Sequence, residues 1–319
     1  MSQAAAQSSA SASADVIVVG AGPAGSSAAY HMATLGLDVI LLEKQELGRD
    51  KVCGDGLTPS AVRELVSMGM DTTGWQRNRG LRVIGGGHLL HFPWPEQASF
   101  PSYGMARPRA LLDRDLAEHA AAAGARLLTG VTVTAPVTSP TGRVTGVEAR
   151  PTNRVAYPGI EGPTTFTAPL VVDAGGVSAR LATAVGRTKN ERRPMGVAVR
   201  AYFRSPRAQD AWMESRLELW DGTPGKSDLL PGYGWIWSVG EGLVNVGLGS
   251  VSSRAQATAI DYRAVFNRWM DNVPASWGFT KENQVGGLVS AALPMAFNRK
   301  PHYADGLMLL GDAGGMVSP

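Results

Sequence analysis

One glycine-rich motif, Gly20-Ala21-Gly22-Pro23-Ala24-Gly25, constrains the fold of this 319-residue chain more than any other feature. It follows the apolar run Asp15 to Val19 and precedes a stretch of small residues, so the pattern predicts a strand, a tight turn and a helix. Gly20 permits the sharp turn, Gly22 lets the backbone approach a pyrophosphate, and Gly25 lets the helix lie close to the strand. The free N–H groups at the start of that helix would face the phosphates.

A second predicted strand, Leu37 to Leu42, ends in Glu43. A carboxylate at this position accepts hydrogen bonds from both hydroxyls of an adenosine ribose. It also disfavours a 2′-phosphate through like-charge repulsion, so we expect FAD or NAD rather than NADP. The motif alone also fits a glycine-rich turn in any α/β protein, but the ordered strand, turn, helix, strand and acid favour dinucleotide binding.

Composition and charge exclude several classes of function. The net charge is only +3 with Lys and Arg scattered along the chain, which does not support nucleic-acid binding. Cys53 is the single cysteine, so a disulfide or a thiolate cage for a metal cannot form within the chain, and a reducing compartment is expected. The histidines show no metal-binding spacing. No uncharged apolar stretch approaches the roughly 18 residues of a membrane span, so any membrane contact would be peripheral.

The two ends of the chain also carry expectations. Residues Met1 to Ala14 consist largely of Ser, Ala and Gln without the pattern of a secretory signal, and we interpret them as a disordered tail. We therefore expect a cytoplasmic protein, at most attached to the inner face of the membrane, and not a secreted one. The segment Gly306 to Asp312 reads as a buried strand entering a turn, and the chain stops soon after, at Pro319. We expect it to be truncated at its C-terminus and, for that reason, to bind a flavin weakly.

Four further segments carry a family resemblance: Arg49 to Pro59, Ala106 to Asp113, Tyr233 to Trp237, and Gly311-Asp312. With the glycine-rich motif they resemble the geranylgeranyl reductase family of flavoproteins, and most closely the members that reduce an isoprene unit in the side chain of menaquinone. The resemblance implies an α/β fold in which a Rossmann-like FAD-binding domain of the aromatic-hydroxylase type carries an inserted β-sheet substrate domain. We expect residues 15–80, 104–186 and 300–319 to form the first, and residues 81–103 and 187–299 the second.

The resemblance also implies which residues act. Those expected to bind the FAD cofactor are Gly20, Gly22, Pro23, Ala24, Gly25, Glu43, Lys44, Cys53, Gly54, Arg109, Val133, Gly311 and Asp312. Tyr233, Trp235 and Trp237 would line a tunnel for a prenyl chain. The sequence departs from the family at two positions, because Trp237 replaces the usual Phe and Ser238 the usual Pro. These changes affect the expected shape of the tunnel.

Three of these assignments also have residue-level interpretations. Cys53 lies in a predicted loop that ends at Thr58, a predicted helix N-cap; it is either a small packing residue or a catalytic proton donor whose thiol Lys51 and a helix N-terminus activate. Arg109 begins a predicted helix, where a cation is unfavourable unless an anion lies nearby, so we expect it to neutralise phosphate. The aromatic residues alternate and would share one face of a strand, as a core stripe or as the wall of an apolar cavity.

The expected reaction is hydride transfer from reduced FAD to a C=C bond of a prenyl chain, in a menaquinone side chain or a geranylgeranyl group. The expected partners are a prenyl lipid or isoprenoid quinone and, because a second strand-GxGxxG-helix unit is not found, a transient donor such as NAD(P)H. A flavin monooxygenase acting on an aromatic compound is the main alternative, since its fold is the same. An inactive flavin-binding fragment is a third interpretation.

Overall fold

A computed structural model of the protein describes residues 11–152, 162–190, 192–252, 260–295 and 297–317. The chain divides into two compact units. The first unit comprises residues 1–49, 112–190 and 294–319, and the second comprises residues 50–111 and 191–293. Residues 50–80, which we predicted to belong to the FAD-binding domain, fall in the second unit by this division; the predicted domain bounds remain a prediction.

The helices are α1 (Pro23–Thr34), α2 (Pro59–Ser67), α3 (Arg109–Ala122), α4 (Arg180–Ala184) and α5 (Tyr262–Met270). The strands are β1 (Ser11–Ser13), β2 (Val16–Val19), β3 (Val39–Leu42), β4 (Gly56–Leu57), β5 (Gln76–Asn78), β6 (Gly80–Gly85), β7 (His88–Pro93), β8 (Gly104–Ala106), β9 (Arg126–Leu128), β10 (Val131–Thr138), β11 (Val144–Pro151), β12 (Thr164–Thr167), β13 (Leu170–Asp173), β14 (Met195–Arg204), β15 (Trp212–Arg216), β16 (Leu219–Trp220), β17 (Leu229–Leu230), β18 (Gly232–Gly240), β19 (Leu243–Ser252), β20 (Gln284–Pro294), β21 (Tyr303–Ala304) and β22 (Leu307–Leu309).

The first unit is built on a six-stranded sheet in the order β21-β22-β13-β2-β3-β9. The five strands from β22 to β9 are parallel, and β21 pairs antiparallel at the edge. The central strands β2 and β3 are runs of Val, Ile and Leu and are almost fully buried, as expected for a parallel sheet covered on both faces. Helix α1 connects these two strands, so the glycine-rich motif forms the turn of a βαβ unit, as the sequence predicted.

A second sheet of the first unit has the order β1-β12-β11-β10. Strands β10 and β11 form an antiparallel hairpin. Strand β1 corrects one expectation, because Ser11–Ser13 pair in parallel with Thr165, Phe166 and Thr167 and so are not part of a disordered tail. The backbone hydrogen bonds of a neighbouring strand order these small residues, and composition alone does not reveal such a partner. Residues 1–10 of the predicted tail lie outside the described residues.

The second unit contains a seven-stranded sheet in the order β20-β14-β19-β18-β15-β6-β7. Its long central strands β14, β19 and β18 pair antiparallel and in register, with Tyr202 opposite Asn245 and Asn245 opposite Trp237. Helix α5 packs on one face of this sheet through Val265, Phe266 and neighbouring apolar residues. In the part of the chain that the structure describes, none of the helices has the length and apolar character needed to cross a bilayer.

Candidate functional site

The glycine-rich turn of the first unit has a different physical reason for each of its three glycines. Gly20 has a φ of +102°, and a Cβ there would lie 2.5 Å from the Ala174 carbonyl oxygen. A Cβ on Gly25 would lie 1.8 Å from the Gly20 carbonyl oxygen. At Gly22, the N-cap of α1, an added Cβ would meet no atom within 4 Å. The fold itself therefore requires Gly20 and Gly25, whereas Gly22 leaves space open in front of the helix N-terminus.

Glu43 is held at the end of β3 by two backbone donors. Its Oε2 accepts a hydrogen bond from the Ala21 N–H at 2.9 Å, and its Oε1 accepts one from the Gln45 N–H at 3.0 Å. The carboxylate is 8% exposed, so it is fixed against the glycine-rich turn. Each carboxylate oxygen has a second lone pair, which leaves capacity for the two hydroxyls of a ribose.

The carboxyl ends of three neighbouring parallel strands meet at this turn. Gly20 follows β2 and lies against Ala174, which follows β13. Gly311, two residues after β22, has a φ of +59°, and a Cβ on it would lie 2.8 Å from the Cβ of Ala24. The predicted residues Ala24, Gly311 and Asp312 are therefore brought to the same sheet edge as the motif, where open α/β sheets bind their ligands.

Lys44 and Val133 have different surroundings. Lys44 is exposed and lines an open cavity of about 260 Å³ together with residues 45–49 and Gly130. Val133 is buried in the apolar core of the first unit with residues of the parallel sheet such as Ile40 and Leu42, and it is not among the residues lining that cavity. Direct contact of Val133 with a cofactor remains a prediction.

The residues of the first unit fit the ADP half of FAD. The open space at Gly22 faces the amide groups of a helix that begins with Pro23 and has no side-chain cap at its N-terminus. A diphosphate would accept hydrogen bonds from such amides and is favoured by the helix dipole. Glu43 lies at the adjacent strand end, with lone pairs for a sugar.

In the second unit, side chains of the large sheet hold the loop of residues 50–56. Arg200 forms an ion pair with Asp50 and donates a hydrogen bond to the Lys51 carbonyl at 3.0 Å. The Asn245 Nδ2 donates to the Cys53 carbonyl at 2.9 Å, and the Trp237 Nε1 donates to the Gly54 carbonyl at 2.6 Å. The Cys53-Gly54 segment is thus anchored directly to the central strands.

Asp55 is the most buried acid of this loop, with 1% exposure and a φ of +64°. Its Oδ2 accepts hydrogen bonds from the Tyr202 Oη at 2.5 Å and the Asn245 Nδ2 at 2.8 Å, and its Oδ1 accepts one from the Arg109 N–H at 3.1 Å. Burial raises the pKa of Asp55 from 3.8 to about 6, against the lowering effect of these bonds and of the Arg200 charge. Burial also raises the pKa of Tyr202.

Arg109 was predicted to neutralise phosphate at the start of a helix. The structure places the Asp55 carboxylate at the N-terminus of α3, where it accepts from the Arg109 N–H. The anion that a helix N-terminus favours is therefore supplied by the chain itself. The Arg109 side chain is buried, and its contact with a cofactor phosphate stays a prediction.

Tyr233, Trp235 and Trp237 form one aromatic row along β18. The ring centroids of Tyr233 and Trp235 lie 6.1 Å apart, and those of Trp235 and Trp237 lie 6.0 Å apart with nearly parallel planes. The Trp235 Nε1 donates to the Asn245 Oδ1 at 2.8 Å, so both indole N–H groups bond within the protein. Burial, followed by an electrostatic effect of the nearby Cys53, raises the pKa of Tyr233.

The structure brings together residues that the sequence assigned to different roles. Cys53 and Gly54, predicted near the flavin, lie against the aromatic row predicted to bind substrate. Sequence reasoning missed Asp55, Tyr202 and Asn245 as members of this site. Asp55 lies within the segment Arg49 to Pro59 that carries the family resemblance, and this signal could have identified it as a site residue. Tyr202 and Asn245 lie on strands of ordinary apolar character.

Comparison with known proteins identifies the family. The profile described as "FAD binding domain" matches residues 13–265. Menaquinone reductase of Mycolicibacterium smegmatis is 38% identical over 310 residues, which are 96% of this chain and 71% of that protein. The chain belongs to the FAD binding domain family, and within it to the FAD-dependent oxidoreductases of the geranylgeranyl reductase type. Its cofactor is FAD, as the sequence predicted.

A second reductase and one solved structure are also similar to this chain. Digeranylgeranylglycerophospholipid reductase 1 of Methanosphaera stadtmanae is 30% identical over 96% of this chain and 70% of that protein. The crystal structure of a protein described as geranylgeranyl bacteriochlorophyll reductase-like, from Thermoplasma acidophilum, superposes with a TM-score of 0.76 at 24% identity, covering 96% of this chain and 72% of that one. The predicted fold class, an FAD-binding α/β fold of the aromatic-hydroxylase type, is confirmed.

Proposed function

We propose that this oxidoreductase saturates C=C bonds in a prenyl chain, in the side chain of a menaquinone or in a geranylgeranyl group. The observation that carries the proposal is the position of Cys53 beside the aromatic row of β18. The relatives named as menaquinone and digeranylgeranylglycerophospholipid reductases support the same class of substrate. The substrate is thus a prenyl lipid or isoprenoid quinone.

The aromatic row suits an apolar chain because of its internal hydrogen bonds. The indole N–H of Trp235 donates a hydrogen bond to the Asn245 Oδ1, and that of Trp237 donates to the Gly54 carbonyl. Neither N–H group therefore requires a polar partner from the substrate. An isoprene chain offers no such partner, and an unsatisfied buried donor would cost about 1–3 kcal/mol. The rings can therefore hold the chain by contact alone and keep water away.

FAD, once bound and reduced, supplies the hydride for this reaction. In this proposal the Cys53 thiol holds the proton that the second carbon of the double bond requires. The thiol sulfur accepts a hydrogen bond from the Asp55 N–H at 3.4 Å, which fixes its direction within the loop. Gly20, Gly22, Pro23, Ala24, Gly25, Glu43 and Lys44 would hold the ADP moiety, and Gly54, Arg109, Val133, Gly311 and Asp312 would complete the cofactor site.

The proposed electron donor is NAD(P)H, or another reductant, that meets the protein transiently. We also propose peripheral contact with the inner face of the membrane, because a prenyl lipid resides in the bilayer.

The test is anaerobic reaction of the FAD-loaded protein, reduced with dithionite, with menaquinone and with a geranylgeranyl lipid. Mass spectrometry should find product two mass units heavier, and the flavin should reoxidise as product forms. Cys53→Ala should retain FAD and lose about 100-fold or more in rate. Reduced flavin that persists with unchanged lipid would reject the proposal, and substrate-stimulated oxygen consumption with a hydroxylated aromatic product would favour a monooxygenase.

A further inference from the structure

The buried Asp55 carboxylate of the second unit accepts three hydrogen bonds. It joins three separate elements, because its partners Arg109, Tyr202 and Asn245 lie at the start of α3, on β14 and on β19. All three partners present hydrogen-bond donors to it. A carboxylate has no donor when ionised and can accept at both oxygens, so it satisfies this arrangement.

Asp55 is coupled to Cys53 through two routes. Its backbone N–H donates to the Cys53 sulfur, and the Asn245 amide that it binds also donates to the Cys53 carbonyl. The orientation of the Asn245 amide is fixed, since its Oδ1 accepts from Trp235. A rotated amide would lose both of its other contacts.

We propose that Asp55 is a positioning residue for Cys53: its carboxylate fixes the loop so that the thiol is held beside the aromatic row. The role deepens the proposed function, since Cys53 is the proton donor there, and rests on it for its catalytic meaning. Asp55 is 1% exposed and acts through the loop rather than by touching substrate.

The substitution Asp55→Asn tests the role of the carboxylate separately from the backbone conformation of the turn. Asn tolerates the left-handed conformation that Asp55 adopts at φ +64°, so the backbone preference is kept. Its amide nitrogen must take the place of one carboxylate oxygen. At Oδ1 it would face the Arg109 N–H, and at Oδ2 it would face the Asn245 amide, so a donor meets a donor in either orientation.

The readout is the rate at which a neutral thiosulfonate modifies Cys53 at pH 8 in the FAD-loaded full chain. Cys53 is the only cysteine, so the signal comes from this loop alone. We expect Asp55→Asn to react about tenfold faster than the parent protein. Asp228→Asn, which changes an exposed acid of the same unit, should react at the parental rate.

The substitution Tyr202→Phe separates the effect of hydrogen bonding to Asp55 from the effect of its charge, because it removes one donor and leaves the carboxylate in place. It should raise the rate a few-fold, and it keeps the test decisive if Asp55→Asn does not fold. In the prenyl assay Asp55→Asn should lower kcat with little change in KM, since the aromatic row is intact. Parental thiol reactivity in Tyr202→Phe, or an unchanged kcat in Asp55→Asn, would overturn the proposal. A parent protein inactive on prenyl lipids would reject the proposed function and leave the thiol result standing.

Discussion

The indole N–H of Trp237 donates a hydrogen bond of 2.6 Å to the carbonyl of Gly54, 183 residues earlier in the chain. The Trp237 ring also packs closely against the backbone of Gly54, because a Cβ on Gly54 would lie 2.9 Å from the ring. Phe, the residue that the family resemblance led us to expect at position 237, could not donate this bond. The aromatic row and the Cys53-Gly54 segment thus form one assembly within the second unit.

Trp237→Phe should remove that bond and leave the Gly54 carbonyl without its donor. We expect a loss of about 1 kcal/mol in the free energy of unfolding, measured by urea denaturation, and a rise in KM for a prenyl substrate. Trp220→Phe, on the short sheet of β16 and β17, is the matched control and should leave KM unchanged. Equal effects of the two substitutions on KM would contradict the assignment of the row to substrate.

Gly22→Ala should separate cofactor binding from folding. An added methyl group meets no protein atom within 4 Å, so the unfolding midpoint should stay near that of the parent protein while FAD affinity falls about tenfold. Gly25→Ala should instead cost about 1–3 kcal/mol of stability, because its Cβ would collide with the Gly20 carbonyl. Thermal unfolding and flavin titration measure the two effects. Gly162→Ala, also in open space within the first unit, should alter neither.

Glu43→Gln should weaken both the turn and the cofactor site. The amide presents an N–H₂ group where one carboxylate oxygen now accepts from Ala21 or Gln45. We expect about 1–2 kcal/mol of destabilisation and about a tenfold loss in FAD affinity, measured by calorimetry. FAD affinity equal to that of the parent protein would show that Glu43 does not contact the ribose.

Asp55 predicts a pH dependence of stability whose sign follows from its raised pKa. The folded state binds the Asp55 proton more tightly than the unfolded state does. The stabilisation that this proton gives the folded state is therefore fully present below pH 3.8 and is lost as the pH rises through about 6. Relative to Asp55→Asn, the parent protein should lose about 1 kcal/mol between pH 5 and pH 7.5. Urea unfolding at both values measures this difference. If the stability of the parent protein relative to Asp55→Asn instead increased with pH, the raised pKa of Asp55 would be contradicted.

The sequence predicted the first unit well because its signals are local. The βαβ turn depends on Gly20 and Gly25, whose backbone requirements show in the motif itself, and the apolar runs of β2 and β3 mark a buried parallel sheet. The position of the Thr58 cap was also predicted, although its hydroxyl contacts Ser60 instead of a helix amide.

The missed residues depend on register between distant segments. Tyr202 and Asn245 reach Asp55 only because β14 and β19 pair with these two residues opposite each other. A one-residue shift would turn both side chains to the other face, and nothing local to either strand fixes that register. The Asp55 carboxylate at the start of α3 was missed for the same reason, since Asp55 is 54 residues from Arg109 in the sequence.

The internal hydrogen bonds of the two indoles limit what the row can discriminate. Rings whose polar atoms are already hydrogen-bonded can distinguish the width and bend of a hydrocarbon chain but not the number of its repeating units. In the proposed function, the choice among chemically equal double bonds along a polyprenyl tail would be made elsewhere, by the contacts that stop the head of the molecule and set its depth of entry. Substitutions within the row should alter how fast a given bond reacts, while its identity should stay the same.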